Sequence, residues 1–256
     1  ADTNRYISEY RFLQTVSQWL PAAVPKIRSV GKGYFTMEYL GSGYENWKQL
    51  MLSEKVEEKW GAKAGEIMGT IHAKSWGKAS IQELFETTAN FESLRIEPYL
   101  RYTGTKHPAL QSQFDEMAEF VKNNRCALVH GDFSPKNILV KNEQMVVLDC
   151  EVAWYGAPSF DTAFLTNHLI LKAIHQPKQA KQYAITIQFF WEAYQKAIGK
   201  TKSELIQKQT ARLQWFLMLA RVDGKSPVEY LTHPEKEKIR TLTNKYLTPS
   251  FQPTFE

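Results

Sequence analysis

The stretch that decides the reading is Leu128-Val129-His130-Gly131-Asp132-Phe133-Ser134-Pro135-Lys136-Asn137-Ile138-Leu139-Val140, followed by Met145-Val146-Val147-Leu148-Asp149. Two short apolar runs flank a polar loop and a third ends in a carboxylate, which predicts strand, loop, strand, turn, strand. Three polar side chains collect at the strand ends: Asp132, Asn137 five residues on, and Asp149 twelve residues beyond that. Taken singly, an Asp after a strand or an Asn before one is usually a turn former. Their joint spacing between apolar strands calls for a different explanation.

Outward from this stretch the chain reads as an ordinary globular protein. Its 256 residues, 43% hydrophobic and 13% aromatic, are ample for a packed core. No run of 18 apolar residues is present, so no membrane span is expected. The opening Ala-Asp-Thr-Asn-Arg has neither a signal-peptide profile nor an initiator Met, which suggests a soluble protein with sequence missing in front. The net charge of +5 comes from 32 basic residues scattered among 27 acidic ones without a run of one sign, which argues against a nucleic-acid partner. Two cysteines, Cys126 and Cys150, make no disulfide framework and no zinc spacing; reduced thiols and a cytoplasmic location are the expectation.

Apolar residues at helical spacing predict an amphipathic helix over 5–20, ended by Pro21 and Pro25. Strands are predicted over 27–30 and 34–40, joined at Gly31-Lys32-Gly33. That Gly-Lys-Gly is too short for a phosphate loop. After Gly41-Ser42-Gly43 helices dominate: 54–72, 107–122, 160–175, 180–198, 203–222 and 234–246, with an irregular Pro-punctuated end from Thr248 to Glu256. The division is placed there, with a small strand-containing piece over 1–43 and a large helical piece over 44–256.

The chemistry of the central stretch is that of phosphoryl transfer. The interval from Asp132 to Asn137 equals that of the kinase catalytic loop H-R-D-x-x-x-x-N, and Asp149 stands where a second metal-binding carboxylate is needed. Asp132 is the candidate base for an accepting hydroxyl; Asn137 and Asp149 offer hard oxygens to Mg²⁺. His130 is placed to hold the loop by a hydrogen bond rather than to act as a base.

With these residues in view, His130 to Val140 closely resembles the signature of the aminoglycoside phosphotransferase and choline kinase superfamily, small-molecule kinases of protein-kinase-like fold. Leu148-Asp149-Cys150-Glu151 resembles that family's metal-binding element, and Phe35 to Leu40 its last N-lobe strand and hinge. The resemblance implies an α+β, bilobal, kinase-like fold, with ATP and Mg²⁺ as cofactors and a hydroxyl-bearing small molecule as acceptor. It implies that Glu38, Tyr39 and Leu40 meet adenine through their backbone, and that Asp161 is buried and braces the loop. Glu9 matches the helix Glu that pairs with a phosphate-clamping Lys. That Lys and the first strands are absent from the sequence, so the N-lobe reads as incomplete by about 50 residues, a two-stranded sheet being marginal alone. The Asp-Phe-Gly and Ala-Pro-Glu elements of protein kinases are also missing.

The acceptor is less legible. From Glu192 to Glu256 seven acidic residues face eleven Lys and Arg, which disfavours a strongly cationic substrate. A Tyr-Gly after the metal Asp, as in Tyr155-Gly156, is shared with sugar kinases of the superfamily, which favours a sugar-like or other hydroxylated metabolite over an aminoglycoside. Glu151, Trp154, Tyr155, Asn167 and His168 are candidate substrate contacts, against the simpler reading that the aromatics are core and the polar pair is satisfied internally. The rival function is a non-catalytic nucleotide-binding or scaffold protein of the same fold; oligomeric state is left open.

Overall fold

The computed structural model describes residues 5–247, so the irregular tail expected from Thr248 lies outside them. Helix α1 (Arg5–Ser17) turns Phe12, Leu13 and Val16 into the core and ends before Pro21. Strands β1 (Ile27–Gly31) and β2 (Tyr34–Met37) form an antiparallel hairpin. Its turn depends on Gly33, whose φ of +85° suits glycine. The hairpin rests on α1 through Tyr10 and Phe35, ring centroids 6.0 Å apart. A two-residue strand β3 (Glu45–Asn46) leads into α2 (Trp47–Leu52), and the Asn46 side chain caps that helix at Gln49 N.

Helices α3 (Glu58–Ser75) and α4 (Ala79–Leu84) follow. Then α5 (Thr88–Phe91), a π-helix over Glu92–Arg101 and α6 (Tyr102–Lys106) form one passage. Helix α7 (Gln111–Asn123) delivers the chain to β4 (Ala127–Val129), the polar loop, and the hairpin of β5 (Ile138–Lys141) and β6 (Gln144–Val147). Strand β7 (Trp154–Gly156) returns to pair with β4, and β3 adds to the edge of β5. Four helices complete the chain: α8 (Pro158–His175), α9 (Ala180–Ile198), α10 (Lys200–Asp223) and α11 (His233–Tyr246).

Residues from both sides of position 43 share one core: Phe12, Leu13 and Val16 of α1 join Trp47, Met51, Ile67, Phe133, Ile138 and Tyr194. The strands around the polar loop and the long helices occupy the places their patterns predict, but several boundaries and short elements do not. Helix α3 cannot begin at Glu54, because Glu54 closes α2 in a left-handed conformation at φ +61°. Pro108 opens a 3₁₀ turn over Pro108–Leu110, so α7 starts at Gln111 instead of His107. Helices α2 and α4, the passage from Thr88 to Lys106 and strand β7 carry no sequence signal strong enough to be read in advance.

Helices α3 and α9 pack closely because Gly61, Gly65 and Gly69 stand four residues apart on one face of α3. A Cβ added at Gly65 would lie 2.2 Å from the Phe190 carbonyl oxygen, and one at Gly61 would lie 2.1 Å from that of Thr186. Both obstacles are backbone. Gly65→Ala should therefore lower stability by about 1–3 kcal/mol despite alanine's better helix propensity, the overpacking cost exceeding the propensity gain. Thermal and urea unfolding read this directly; an unchanged or raised midpoint would show that α9 can move away.

Candidate active site

The polar loop between β4 and β5 is held from beneath by one carboxylate. Asp161, 1% exposed in the first turn of α8, accepts from His130 N at 2.6 Å through Oδ2 and from Gly131 N at 2.9 Å through Oδ1. Two consecutive amides can face one carboxylate because Gly131 takes φ +76°, a conformation that glycine tolerates and that places its missing Cβ only 2.7 Å from the Val152 carbonyl oxygen. His72 Nε2 approaches Asp161 Oδ2 at 3.5 Å without making a hydrogen bond, and its Nδ1 lies 2.8 Å from the Tyr194 hydroxyl.

His130 is a neutral clamp. Its Nδ1 accepts from Asp132 N at 3.1 Å, so the proton sits on Nε2, which donates to the Leu148 carbonyl at 3.1 Å. Burial lowers its pKa, outweighing the opposing pull of Asp161, Asp132 and Asp149. One side chain thus ties the loop to the strand end that carries Asp149.

Above this scaffold the Asp132 carboxylate, 6% exposed, meets Lys136 Nζ at 3.0 Å and Arg95 Nη2 at 3.1 Å through Oδ2. Arg95 also donates from Nε to the Gly131 carbonyl at 2.5 Å. It arrives from the π-helix, a geometry that often marks functional positions. Asn137 Nδ2 donates to the Asp132 carbonyl at 3.1 Å, which turns the amide oxygen the other way. A carbonyl can only accept, so the amide orientation is fixed chemically.

Asp149 is exposed and left-handed at φ +61°, the kind of strained conformation that clusters at functional sites. Glu9 and Glu151 stand close to it. Burial, then the charges of Asp149 and Glu151, push Glu9 up to about 6. Glu151 makes a 3.6 Å ion pair with Arg5, whereas among the described residues no cation pairs with Glu9. The site is therefore polarised, with carboxylates around Asp149 and cations around Asp132.

Hard oxygens at Asn137 and Asp149 fit a Mg²⁺ shared with phosphate groups, which needs only one or two protein ligands. No cluster of three or more His, Cys, Asp or Glu able to hold a metal occurs among the described residues.

The remaining sequence candidates scatter. Tyr39 and Leu40 lie beyond the end of β2 and make no backbone hydrogen bond among the described residues, while Glu38 N and Oε1 are both tied to Lys26. Trp154 and Tyr155, read from sequence as candidate substrate contacts, are core residues of β7. Trp154 stacks on Phe91 at 4.3 Å and donates to Thr88, and Tyr155 donates its hydroxyl to the Cys126 carbonyl at 2.9 Å. Both are sealed, at 0% and 2% exposure, so neither has a face for a ligand. Glu151 lies with Asp149, whereas Asn167 and His168 lie on α8. Arg95 and Lys136 were missed as site residues. Lys136 is inside the motif and could have been named; Arg95 is 37 residues before Asp132 in an irregular helix and left no signal. A groove of about 1240 Å³ along α7 and α10, lined by Gln111, Asp115, Glu119 and Leu205, includes none of the residues above.

Residues 3–196 match the profile of the phosphotransferase enzyme family (APH). The chain belongs to that family. No curated protein sequence matches it. Among solved structures, amicoumacin kinase hAmiN in complex with AMP-PNP, Ca²⁺ and Ami is similar at TM-score 0.60 and 13% identity, covering 97% of this chain and 80% of the other. An ethanolamine kinase of Plasmodium vivax reaches 0.54 at 12% identity with coverages of 93% and 72%. A choline/ethanolamine kinase family protein of Mesorhizobium loti reaches 0.50 at 15% identity with coverages of 97% and 80%. The α+β, protein-kinase-like architecture with a large helical lobe is the fold these structures share. No helix among the described residues is long and apolar enough to cross a membrane.

Two measurements follow from this geometry. Asp161→Ala strands two buried amides and should cost at least about 2–3 kcal/mol, read as a shifted urea midpoint. Glu9, raised from 4.5 to about 6, binds its proton more tightly folded than unfolded, so the native state loses stability as pH rises through that window. Glu9→Gln should accordingly gain about 1–2 kcal/mol over the parent above pH 6 and little at pH 4.5, in buffer with a chelator. A constant difference across that range would contradict the assignment.

Proposed function

We propose that the protein transfers the γ-phosphoryl group of ATP to a hydroxyl of a small molecule. The observation that carries this reading is the Asn137 amide. Its nitrogen is spent on the Asp132 carbonyl, so its oxygen is left free to accept or ligate beside a carboxylate that is itself held in place. A base and a metal ligand are thereby fixed relative to one another by three hydrogen-bonded residues.

In this mechanism the acceptor hydroxyl binds at Asp132, which orients it and takes its proton as its oxygen bonds to the γ-phosphorus and the bond from that phosphorus to the departing ADP oxygen breaks. Asn137 and Asp149 would hold Mg²⁺, which when bound neutralises the charge of the triphosphate. Arg95 and Lys136 pair with the Asp132 carboxylate and offer positive charge to the group being transferred. The unpaired backbone at Tyr39 and Leu40 is available to the adenine ring. Phosphoryl transfer demands positioning above covalent chemistry, and the bracing by Asp161 and His130 supplies it.

Asp132→Asn keeps the shape of the loop and should reduce turnover about 10²–10⁴-fold, the range for removal of a general base. Unchanged turnover with a true acceptor would remove Asp132 from this role. Asp149→Ala should abolish the Mg²⁺-dependent part of nucleotide protection against thermal unfolding. A binding or scaffold protein of the same fold would show protection without acceptor-dependent ADP release.

A further inference from the structure

From Asp132 a circuit of side-chain contacts and chain neighbours runs on, of which the catalytic steps above use only Asp132, Arg95 and Lys136. Arg95 leads to Tyr99, four residues on along the π-helix. The Tyr99 hydroxyl accepts from Arg221 Nη1 at 3.1 Å, and its ring meets Phe164 at 5.5 Å. Phe164 meets the His168 ring at 5.3 Å, and the His168 carbonyl accepts from Lys172 Nζ at 3.4 Å. Lys172 Nζ lies 5.1 Å above the ring of Tyr230, whose neighbour Glu229 is paired with Lys48. Two residues before Lys48, Asn46 donates to the Lys136 carbonyl at 2.7 Å, and Lys136 returns to Asp132.

Five cations line this circuit, Arg95, Lys136, Lys48, Lys172 and Arg221, against two carboxylates, Asp132 and Glu229. Neighbouring acids are committed elsewhere: Asp223 to Arg240 and His107, Glu235 to His175 and the Thr232 amide. Lys172 is 1% exposed and pairs with no carboxylate among the described residues, which is costly for a cation. Two of the circuit's residues keep buried polar atoms without partners among the described residues, Arg221 Nε and Tyr230 Oη, as do both amide atoms of Asn167, the residue before His168. Unsatisfied groups of this kind call for a ligand or another explanation.

We propose that the phosphoryl acceptor carries, besides its reacting hydroxyl, an anionic group that seats against Lys48, Lys172 and Arg221. This rests on the phosphotransferase reading and names its substrate class: hydroxy acids and hydroxylated phosphate or sulfate esters, as opposed to the amines and polycations that a carboxylate-lined pocket selects. Burial and the charges of Lys48 and Arg221 pull Lys172 down to about 7, so a bound anion would also restore its charge.

The test has a turnover arm and a binding arm, both on the full chain. ADP release with Mg²⁺ and ATP is compared across matched acceptors: gluconate, serine and glycerol 3-phosphate against sorbitol, ethanolamine and glucosamine. The anionic members should lead in kcat/KM by at least about tenfold, roughly one good charge-assisted contact. Arg221→Gln and Lys48→Gln should each raise KM for them by a similar factor while changing kcat less. Arg221 also braces Tyr99 and Ser226, so Lys48→Gln, on a partly exposed side chain, guards against misfolding. Preference for the neutral or cationic members, or equal KM changes for all acceptors, overturns the proposal. If no acceptor is turned over, the phosphotransferase reading fails, and the binding arm still decides the anion site. Sulfate and glycerol 3-phosphate should raise the thermal midpoint of the parent but not of Lys48→Gln, and equal shifts in both would refute it.

Discussion

The site depends on one interaction, the Asp161 carboxylate spread across the amides of His130 and Gly131. A carboxylate buried at the start of a helix benefits from the helix dipole and from two charge-assisted hydrogen bonds, and these offset its desolvation. The amides it holds belong to the residues just before Asp132, so the direction of the Asp132 side chain is set from below. His130 adds a second tie, neutral and of one tautomer, between Asp132 N and the strand end at Leu148. The mobile parts of a phosphoryl transfer, nucleotide and acceptor, can then be small, since the protein side is already fixed.

That fixed loop separates charge. Asp149, Glu9 and Glu151 gather on one side, where burial and then the two neighbouring charges push Glu9 up to about 6. Lys136 and Arg95 gather on the other, followed by Lys48, Lys172 and Arg221 at greater remove. Such a division suits a reaction in which a metal-bound polyphosphate approaches from one face and the acceptor from the other. Family membership and the kinase-like architecture are consistent with it, although structures at 12–15% identity speak for the fold alone.

How much was legible follows from how local each feature is. The loop from His130 to Asn137 and the hairpin behind it were readable because their pattern is carried by consecutive residues, a polar loop bounded by short apolar runs. Long helices were readable from their periodicity, and Asp161 from the family resemblance. Strand β7 was not, being three fully buried residues with no alternation, and Trp154 and Tyr155 were therefore offered to a substrate instead of to the core. Arg95 could not be found because a π-helix breaks the 3.6-residue register by which a face is inferred. The cations at 48, 172 and 221 are distant in sequence and meet only through tertiary packing, and the charge count over 192–256 reached only the last of them.

The most direct measurement of the central claim is transfer of label from [γ-³²P]ATP in the presence of Mg²⁺ and a pool of hydroxylated small molecules, followed by separation of the products. The expected result is label on an organic acceptor, dependent on the Asp132 carboxylate. Label that stays in ATP, or appears only as inorganic phosphate whatever acceptor is present, would contradict it.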